Sequence, residues 1–287
     1  MRRHCFFLVA ALAMPLAFNS SARAGMETVH FKATSEDEFT QAKNVELSAW
    51  LMKPEDAGPF PAIVLLHECE PWSKQRFRQW GDLFVKWGYV VLAPDSLAPR
   101  GLKEVCPKYS AAQKFLQKRN YAHRKMAPRA GPNLRVHDML DAVRFLAKLP
   151  YVNANKVHIA GWGHGGETAM RGAYPIKWED ISPKPVALIA FYPVCGGELA
   201  YLSKPIAPLL VLAGEKDEVV RLSNCKNTMR AVASQSPTSK LVVYPGVVRS
   251  FDEPGANYKK NFYLGKYNEQ AHLDSIKQVR AFLSSVK

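Results

Sequence analysis

The sequence has few acidic residues, few cysteines, and no long apolar run beyond its first 24 residues. Of its 287 residues, 25 are Asp or Glu and 39 are Lys or Arg, so the formal net charge is +14. Nothing after residue 24 approaches the ~18 consecutive apolar residues that a membrane-spanning helix needs. Apolar residues make up 47% of the chain, which excludes general disorder. Gly and Pro follow no period, which excludes fibrous and low-complexity proteins.

The first 24 residues contain the three parts of a secretory signal peptide. Met1–His4 carries two arginines, Cys5–Phe18 is apolar, and Ala22–Ala24 is a small-x-small cleavage sequence. We therefore expect export to the periplasm or the cell exterior. The mature protein is expected to be one domain that spans residues 25–287.

Four cysteines remain in the mature chain, and in an oxidising compartment an even number indicates two disulfides. Three pairings of Cys69, Cys106, Cys195 and Cys225 are possible from the sequence. The carboxyl ends of neighbouring strands would bring Cys69 near Cys106 and Cys195 near Cys225, so we expect these two pairs. The chain has no C-x-x-C and no H-x-x-x-H spacing, so we expect no metal and no cofactor.

Apolar runs alternate with segments of helical spacing along the mature chain. Thr28–Ala33 and Val45–Met52 predict a strand hairpin near the N-terminus. Further strands are predicted at Pro61–His67, Tyr89–Pro94, Lys156–Gly161, Val186–Tyr192, Leu209–Ala213 and Lys240–Tyr244. Helices are predicted at Gln75–Trp87, Leu134–Leu149, Arg221–Val232 and Gln270–Val286. This alternation predicts an α/β domain with a mostly parallel sheet and a ligand site at the carboxyl ends of its strands.

The segment Lys156–Gly166, KVHIAGWGHGG, predicts a strand, a tight Gly-rich turn and then a helix. This is the layout of a nucleophile elbow, G-x-Nu-x-G, in which Gly161 and Gly165 are the outer glycines. The nucleophile position is then Gly163. Because glycine has no side chain, it cannot attack a substrate.

Several motifs in a fixed order resemble the dienelactone hydrolase family of α/β hydrolases over nearly all of the mature chain. They are LLHE at 65–68, GYVVLAPD at 88–95, PRG at 99–101, GWxHGG at 161–166, FYPVCG at 191–196, GEKD at 214–217 and YPGxxxSFD at 244–252. The resemblance implies an α/β-hydrolase fold. It also implies hydrolysis of carboxylic esters or lactones by a Cys or Ser nucleophile, an Asp and a His.

Only one of the three triad positions implied by this resemblance holds a residue suited to its role. Asp217 stands at the position of the acid, Gly163 at that of the nucleophile, and Arg249 at that of the histidine. An arginine cannot accept a proton at ordinary pH. We therefore expect a member of the family that has lost triad catalysis.

The resemblance places the two oxyanion donors at the backbone N–H groups of His164 and Cys69. Glu68 matches a glutamate that the family keeps near the nucleophile. The loop then departs from the family pattern, because Glu70–Pro71 stands where a Gly is usual. Arg100 lies in a loop where the family places substrate-binding arginines, which makes it a candidate contact for an anion.

Arg249 has two interpretations. It can pair with Asp217 and fill the former triad, or it can remain available to bind a ligand carboxylate through two hydrogen bonds. We favour the pair, since a half-buried arginine usually binds the nearest acid. Ser250 has no evident partner, and His123 and His272, which lie in no motif, are expected at the surface.

Three functions are compatible with these residues. The first is an exported pseudoenzyme that binds small anionic ligands, helped by the stretch Ala98–Asp138, which has ten basic and two acidic residues. The second is an active ester or lactone hydrolase that uses Cys69 as the nucleophile, with His67 or His164 as the base. The third is a basic envelope-associated protein that binds anionic polymers. No nucleic-acid partner is expected for an exported chain without a recognition motif.

Overall fold

An eight-stranded sheet forms the centre of the computed structural model, which describes residues 24–34, 45–106, 132–260 and 263–286. In chain order its strands are β1 Met26–Lys32, β2 Glu46–Met52, β3 Phe60–Leu66, β4 Val90–Asp95, β5 Val152–Trp162, β6 Ala187–Phe191, β7 Leu209–Gly214 and β8 Lys240–Tyr244. Their order across the sheet is β1-β2-β4-β3-β5-β6-β7-β8.

The sheet is mostly parallel, as the alternation of strands and helices predicts. β1 pairs antiparallel with β2, and β2 pairs antiparallel with β4, while the remaining neighbours are parallel. Ala62 to Leu66 of β3 are all buried, because helices cover both faces of the central strands. The predicted N-terminal hairpin and the predicted α/β-hydrolase fold class are both confirmed.

Five α-helices lie in the described part of the chain: α1 Lys74–Lys86, α2 Pro132–Ala147, α3 His164–Gly172, α4 Leu222–Gln235 and α5 Glu269–Ser285. Helix α1 begins at Ser73, whose hydroxyl accepts a hydrogen bond from the Arg76 N–H at 3.2 Å. Its buried face packs Trp80 against Trp162 and Phe191, with ring centres 5.5 and 5.0 Å apart. This aromatic cluster supports the carboxyl ends of β5 and β6.

A second hairpin was not predicted from the sequence. Its strands are β9 Asn257–Lys260 and β10 Tyr263–Lys266, which pair antiparallel. The N–H of Lys266 donates to the carbonyl of Arg249 at 3.0 Å, so β10 holds the backbone of that residue. The hairpin therefore lies beside the position where the sequence places the base of the triad.

Both predicted disulfides are present, and they differ in exposure. Cys195 and Cys225 are fully buried, whereas Cys69 and Cys106 are only half-buried. The Cys69–Cys106 bond joins the loop after β3 to the beginning of the basic stretch. The predicted signal peptide and residues 107–131 of that stretch lie outside the described residues.

Candidate functional site

The turn between β5 and α3 has the backbone of a nucleophile elbow. Gly163 has φ 53° and ψ −110°, and its N–H donates to the carbonyl of Phe191 at 2.9 Å. This left-handed conformation strains any residue with a Cβ atom. A Cβ at Gly165 would lie 2.5 Å from the carbonyl oxygen of His67, so the turn and the loop after β3 approach too closely for a side chain there. The elbow geometry is therefore intact although the nucleophile is absent.

Two charged side chains fill the space that a nucleophile would occupy. A Cβ atom on Gly163 would lie 2.5 Å from Oε1 and 2.6 Å from Cγ of Glu68. It would lie closer still to Nη2 of Arg249. Residue 163 can have no side chain while Glu68 and Arg249 keep these positions.

Arg249 is buried between two carboxylates. Its Nη2 lies 2.6 Å and its Nε 2.7 Å from Oε1 of Glu68, and its Nη1 lies 3.4 Å from Oδ2 of Asp217. Nη1 also donates to the carbonyl of Tyr192 at 3.0 Å, and the guanidinium lies over the Tyr192 ring at 4.9 Å. Burial alone would lower the pKa of Arg249, but Glu68 and Asp217 outweigh it and raise that pKa above its ordinary value. Arg249 is therefore charged and engaged by the protein itself.

Asp217 lies where the sequence places the acid of the triad, just after β7. Its Oδ1 accepts the N–H groups of Val219 and Val220 at 2.8 and 3.3 Å, and its Oδ2 faces Arg249. Burial raises the pKa of Asp217, and the contact with Arg249 offsets this only in part. The closer partner of Arg249 is Glu68, and the sequence did not indicate this pairing.

The two backbone groups expected as oxyanion donors lie on either side of this ion network. His164 begins α3, and Cys69 lies in the loop after β3, directly after Glu68. Within the described ranges, neither N–H donates to an acceptor of the protein. The sulfur of Cys69 is bonded to Cys106. A nucleophilic role for Cys69 requires a thiolate, which the disulfide removes.

A buried arginine in α2, which the sequence did not single out, holds the loop after β3. Arg135 donates to the carbonyls of His67 at 2.6 Å and Glu68 at 3.2 Å, and to Nδ1 of His164 at 2.7 Å. Burial lowers its pKa to about 10. Burial, and then the charge of Arg135, lower the pKa values of His67 and His164 well below the ordinary value. Both imidazoles are therefore neutral and weakly basic, and protein groups occupy Nδ1 of His164 and both ring nitrogens of His67, which disfavours either as a general base.

A third buried carboxylate, that of Asp252, binds side chains next to the site. Asp252 accepts hydrogen bonds from Trp80 Nε1 at 2.9 Å, Trp162 Nε1 at 2.7 Å and the Tyr192 hydroxyl at 3.0 Å. That hydroxyl in turn accepts a hydrogen bond from Arg76 at 3.0 Å. Asp252 is the last residue of the SFD motif, and its place in that motif is the signal that could have revealed it.

Arg100 has partners inside the fold, and its expected role as an anion contact stays a prediction. Its guanidinium is buried and binds both carboxylate oxygens of Asp138, at 2.8 and 3.0 Å, and the carbonyl of Ser96 at 2.7 Å. This paired geometry engages both terminal nitrogens of Arg100 within the protein, while its buried Nε has no hydrogen-bond partner among the described residues. Arg100 and Arg135 are thus two members of the basic stretch that act inside the fold rather than on a ligand-binding face.

Two minor expectations are wrong. The Ser250 hydroxyl has a partner, the Tyr258 hydroxyl at 2.8 Å. His272 is buried rather than at the surface, and its Nδ1 lies 3.2 Å from the Tyr267 hydroxyl. His123 lies outside the described residues.

The space left at the site is small and polar. The described residues enclose a cavity of about 60 Å³, well below the ~300–1,000 Å³ of ordinary ligand pockets. Its lining includes three carboxylate side chains and one guanidinium: Glu68, Glu70, Glu253 and Arg76. Among the described residues there is no group of three or more His, Cys, Asp or Glu side chains arranged to hold a metal ion. The same residues include no helix long and apolar enough to span a membrane.

A mostly parallel sheet with a strand–turn–helix elbow at its carboxyl edge defines an α/β hydrolase. The model of the dienelactone hydrolase family matches residues 47–287, so the chain belongs to that family. No curated protein sequence matches it significantly.

Solved structures agree on the fold. One similar structure is a dienelactone hydrolase-like promiscuous phosphotriesterase from metagenomic libraries, with a TM-score of 0.67 and 18% identity over 91% of this chain and 99% of that one. Another is esterase 2 of Thermogutta terrifontis phosphorylated by paraoxon, with a TM-score of 0.61 and 19% identity over 91% and 94% of the two chains. At these identities the likeness supports the fold alone.

Proposed function

We propose that this protein is an exported, catalytically silent member of the dienelactone hydrolase family. The observation that carries the proposal is the position of the Arg249 guanidinium in the space of the missing side chain at residue 163. The triad positions hold neither a nucleophile nor a base. The side chains that fill this space, Glu68 and Arg249, form an ion pair and neutralise each other. The half-exposed and the buried disulfide are compatible with an oxidising compartment and thus with export.

Binding of a small anion at this site is not the function that the geometry favours. Arg249 already contacts two carboxylates and a carbonyl, and Arg100 binds Asp138. An anion would have to displace Glu68 from Arg249 and would approach two further glutamates in the cavity wall. The proposed role of the Glu68–Arg249–Asp217 network is therefore structural, as the favoured interpretation of Arg249 predicts.

Hydrolysis by the natural protein and by a restored triad tests the proposal. The mature chain is compared with Gly163→Ser/Arg249→His on a short-chain nitrophenyl ester and an unsaturated lactone. We expect the natural protein to match the buffer rate and the double variant to exceed it, because histidine removes the guanidinium that holds Glu68 beside residue 163 and supplies a base. Gly163→Ser alone is the matched control and should remain inert.

Turnover by the natural protein well above buffer would contradict the proposal. Reduction of the Cys69–Cys106 disulfide then identifies the source, because only a Cys69 mechanism depends on a free thiol. Activity that appears after reduction, and disappears in Cys69→Ser, would establish the alternative hydrolase. An inert protein in both redox states supports the silent site.

A further inference from the structure

A second cavity lies outside the ion network, at the edge of the sheet near the N-terminus. It measures about 80 Å³ and opens to solvent between the turn before α1 and the first three strands of the sheet order. Its lining combines two indole rings, two prolines, two hydroxyls and one carboxylate: Trp50, Trp72, Pro71, Pro94, Thr28, Ser48 and Asp95. None of these residues belongs to the site described above.

The strand register explains why this part of the sheet is open. Thr28 of β1 and Ala93 of β4 both lie opposite Trp50 of β2, and Ser48 lies opposite Asp95, so these side chains share one face. Helix α1 covers this face only as far as Trp50, which packs against Phe77 with ring centres 5.4 Å apart. The floor beyond Trp50 has no helix over it in the described part of the chain.

The wall of the cavity is held rigidly. The Trp72 ring packs edge-on against Trp162 at 5.1 Å, and its Nε1 donates to the carbonyl of Leu65 at 3.3 Å. Asp95 accepts the N–H groups of Leu97 and Ala98 through Oδ1 alone, at 2.8 and 3.0 Å. Its Oδ2 receives no hydrogen bond from the described residues, so an acceptor remains available at the cavity.

We propose that this cavity binds one ring of an uncharged saccharide. The half-buried Trp50 ring is a flat apolar surface that the C–H face of a sugar can cover, and the buried Trp72 ring, 8% exposed, forms part of the wall beside it. The Asp95 carboxylate and the hydroxyls of Ser48 and Thr28 match the hydroxyls of a sugar, which both donate and accept.

Charge excludes the competing ligand classes. An anion would face the Asp95 carboxylate, while a cation would approach a protein of net charge +14. A proline ring would stack on indole but has no donor for Asp95. The cavity is smaller than the ~150 Å³ that holds a benzene ring, so only part of a sugar ring enters it and the rest remains in solvent.

Titration of the mature protein with uncharged sugars tests the proposal. Methyl glucoside and the disaccharide of N-acetylglucosamine are followed by tryptophan fluorescence and by saturation-transfer NMR, beside tetramethylammonium, acetate and a triproline peptide. We expect saturable sugar binding with a Kd of about 1 mM and the strongest transfer to ring C–H protons. Trp50→Ala should weaken binding about five- to tenfold, while Trp87→Ala, which changes a half-buried indole elsewhere, leaves it unchanged.

Ser48→Met keeps both indole rings but fills the cavity with a larger side chain, so it should also abolish sugar binding. Loss of binding in this variant shows that the effect of Trp50→Ala is not caused by misfolding. The proposal does not rest on the silent site, and Gly163→Ser/Arg249→His should bind sugar like the natural chain. Three results would overturn it: no saturation by about 100 mM sugar, sugar binding that survives both Trp50→Ala and Ser48→Met, or preferential binding of tetramethylammonium, acetate or triproline.

Discussion

The steric conflict between a side chain at residue 163 and the Arg249 guanidinium predicts how substitutions at both positions change stability. Gly163→Ser places a side chain on a backbone with φ 53°, which costs about 1–3 kcal/mol. It also drives the new Cβ atom into Glu68 and Arg249, and such overpacking costs about 1–3 kcal/mol more. We expect the free energy of unfolding to fall by about 2–6 kcal/mol.

Arg249→His has a different cost. It leaves Glu68 and Asp217 buried without the cation between them, which destabilises by about 3–5 kcal/mol. In that background, however, Gly163→Ser meets no guanidinium, so the backbone strain and the contact with Glu68 remain but the contact with Arg249 is gone. The double variant should therefore be more stable than the sum of the single effects predicts, by about 1–3 kcal/mol.

Urea unfolding of the natural mature chain, the two single variants and the double variant measures this coupling. Gly101→Ser is a matched control, because Gly101 also has positive φ, 69°, but has nothing within 4 Å of its Cβ position. Combined with Arg249→His, it should give additive effects. Additive effects at residues 163 and 249 would refute the reasoning, because they would mean that Arg249 does not occupy the space of the missing side chain.

Four further measurements test other parts of the structure. Arg135→Met should destabilise by about 2–5 kcal/mol in urea, because the carbonyl of His67 and that of the next residue lose their buried donor. His164→Gln should flatten the loss of stability below pH 6.5 by up to about 1.4 kcal/mol per pH unit, because only the unfolded imidazole gains a proton there; an unchanged slope would contradict its lowered pKa. Mild dithiothreitol followed by alkylation should label Cys69 and Cys106 before the buried pair, and simultaneous labelling would contradict their difference in exposure. If the basic surface of the protein binds anionic polymers, retention of the mature protein on a polyanionic resin should fall steeply between low and physiological salt. Retention that does not depend on salt would exclude that function.

The elements that the sequence predicted well are those whose residues face one environment. Pro61–His67 is apolar throughout because β3 is buried on both faces, and the glycines around Gly163 mark a turn that no other residue fits. The disulfide pairs followed from the parallel strands, since their carboxyl ends meet at one edge. Such features depend on local pattern and on the simplest rules of sheet topology.

The features that the sequence did not predict depend on contacts between distant residues. The pairing of Arg249 with Glu68 joins residues 181 positions apart, and the burial of Arg135 depends on two carbonyls in another loop. The motif around Arg249 singles it out but does not indicate Glu68 as its partner, and nothing in the local sequence distinguishes Arg135 from charged residues that face water. The β9–β10 hairpin was missed because three lysines interrupt the apolar pattern that indicates strands.

The steric conflict between a side chain at residue 163 and Arg249 also limits the order in which these two positions can change. A lineage that regained serine first would meet a steric conflict, and one that regained histidine first would bury two unpaired carboxylates. Each single change lowers the stability of the fold before both triad positions are filled. For the catalytically silent protein proposed above, restoration of the triad therefore requires both changes together, and neither single change is a stable intermediate.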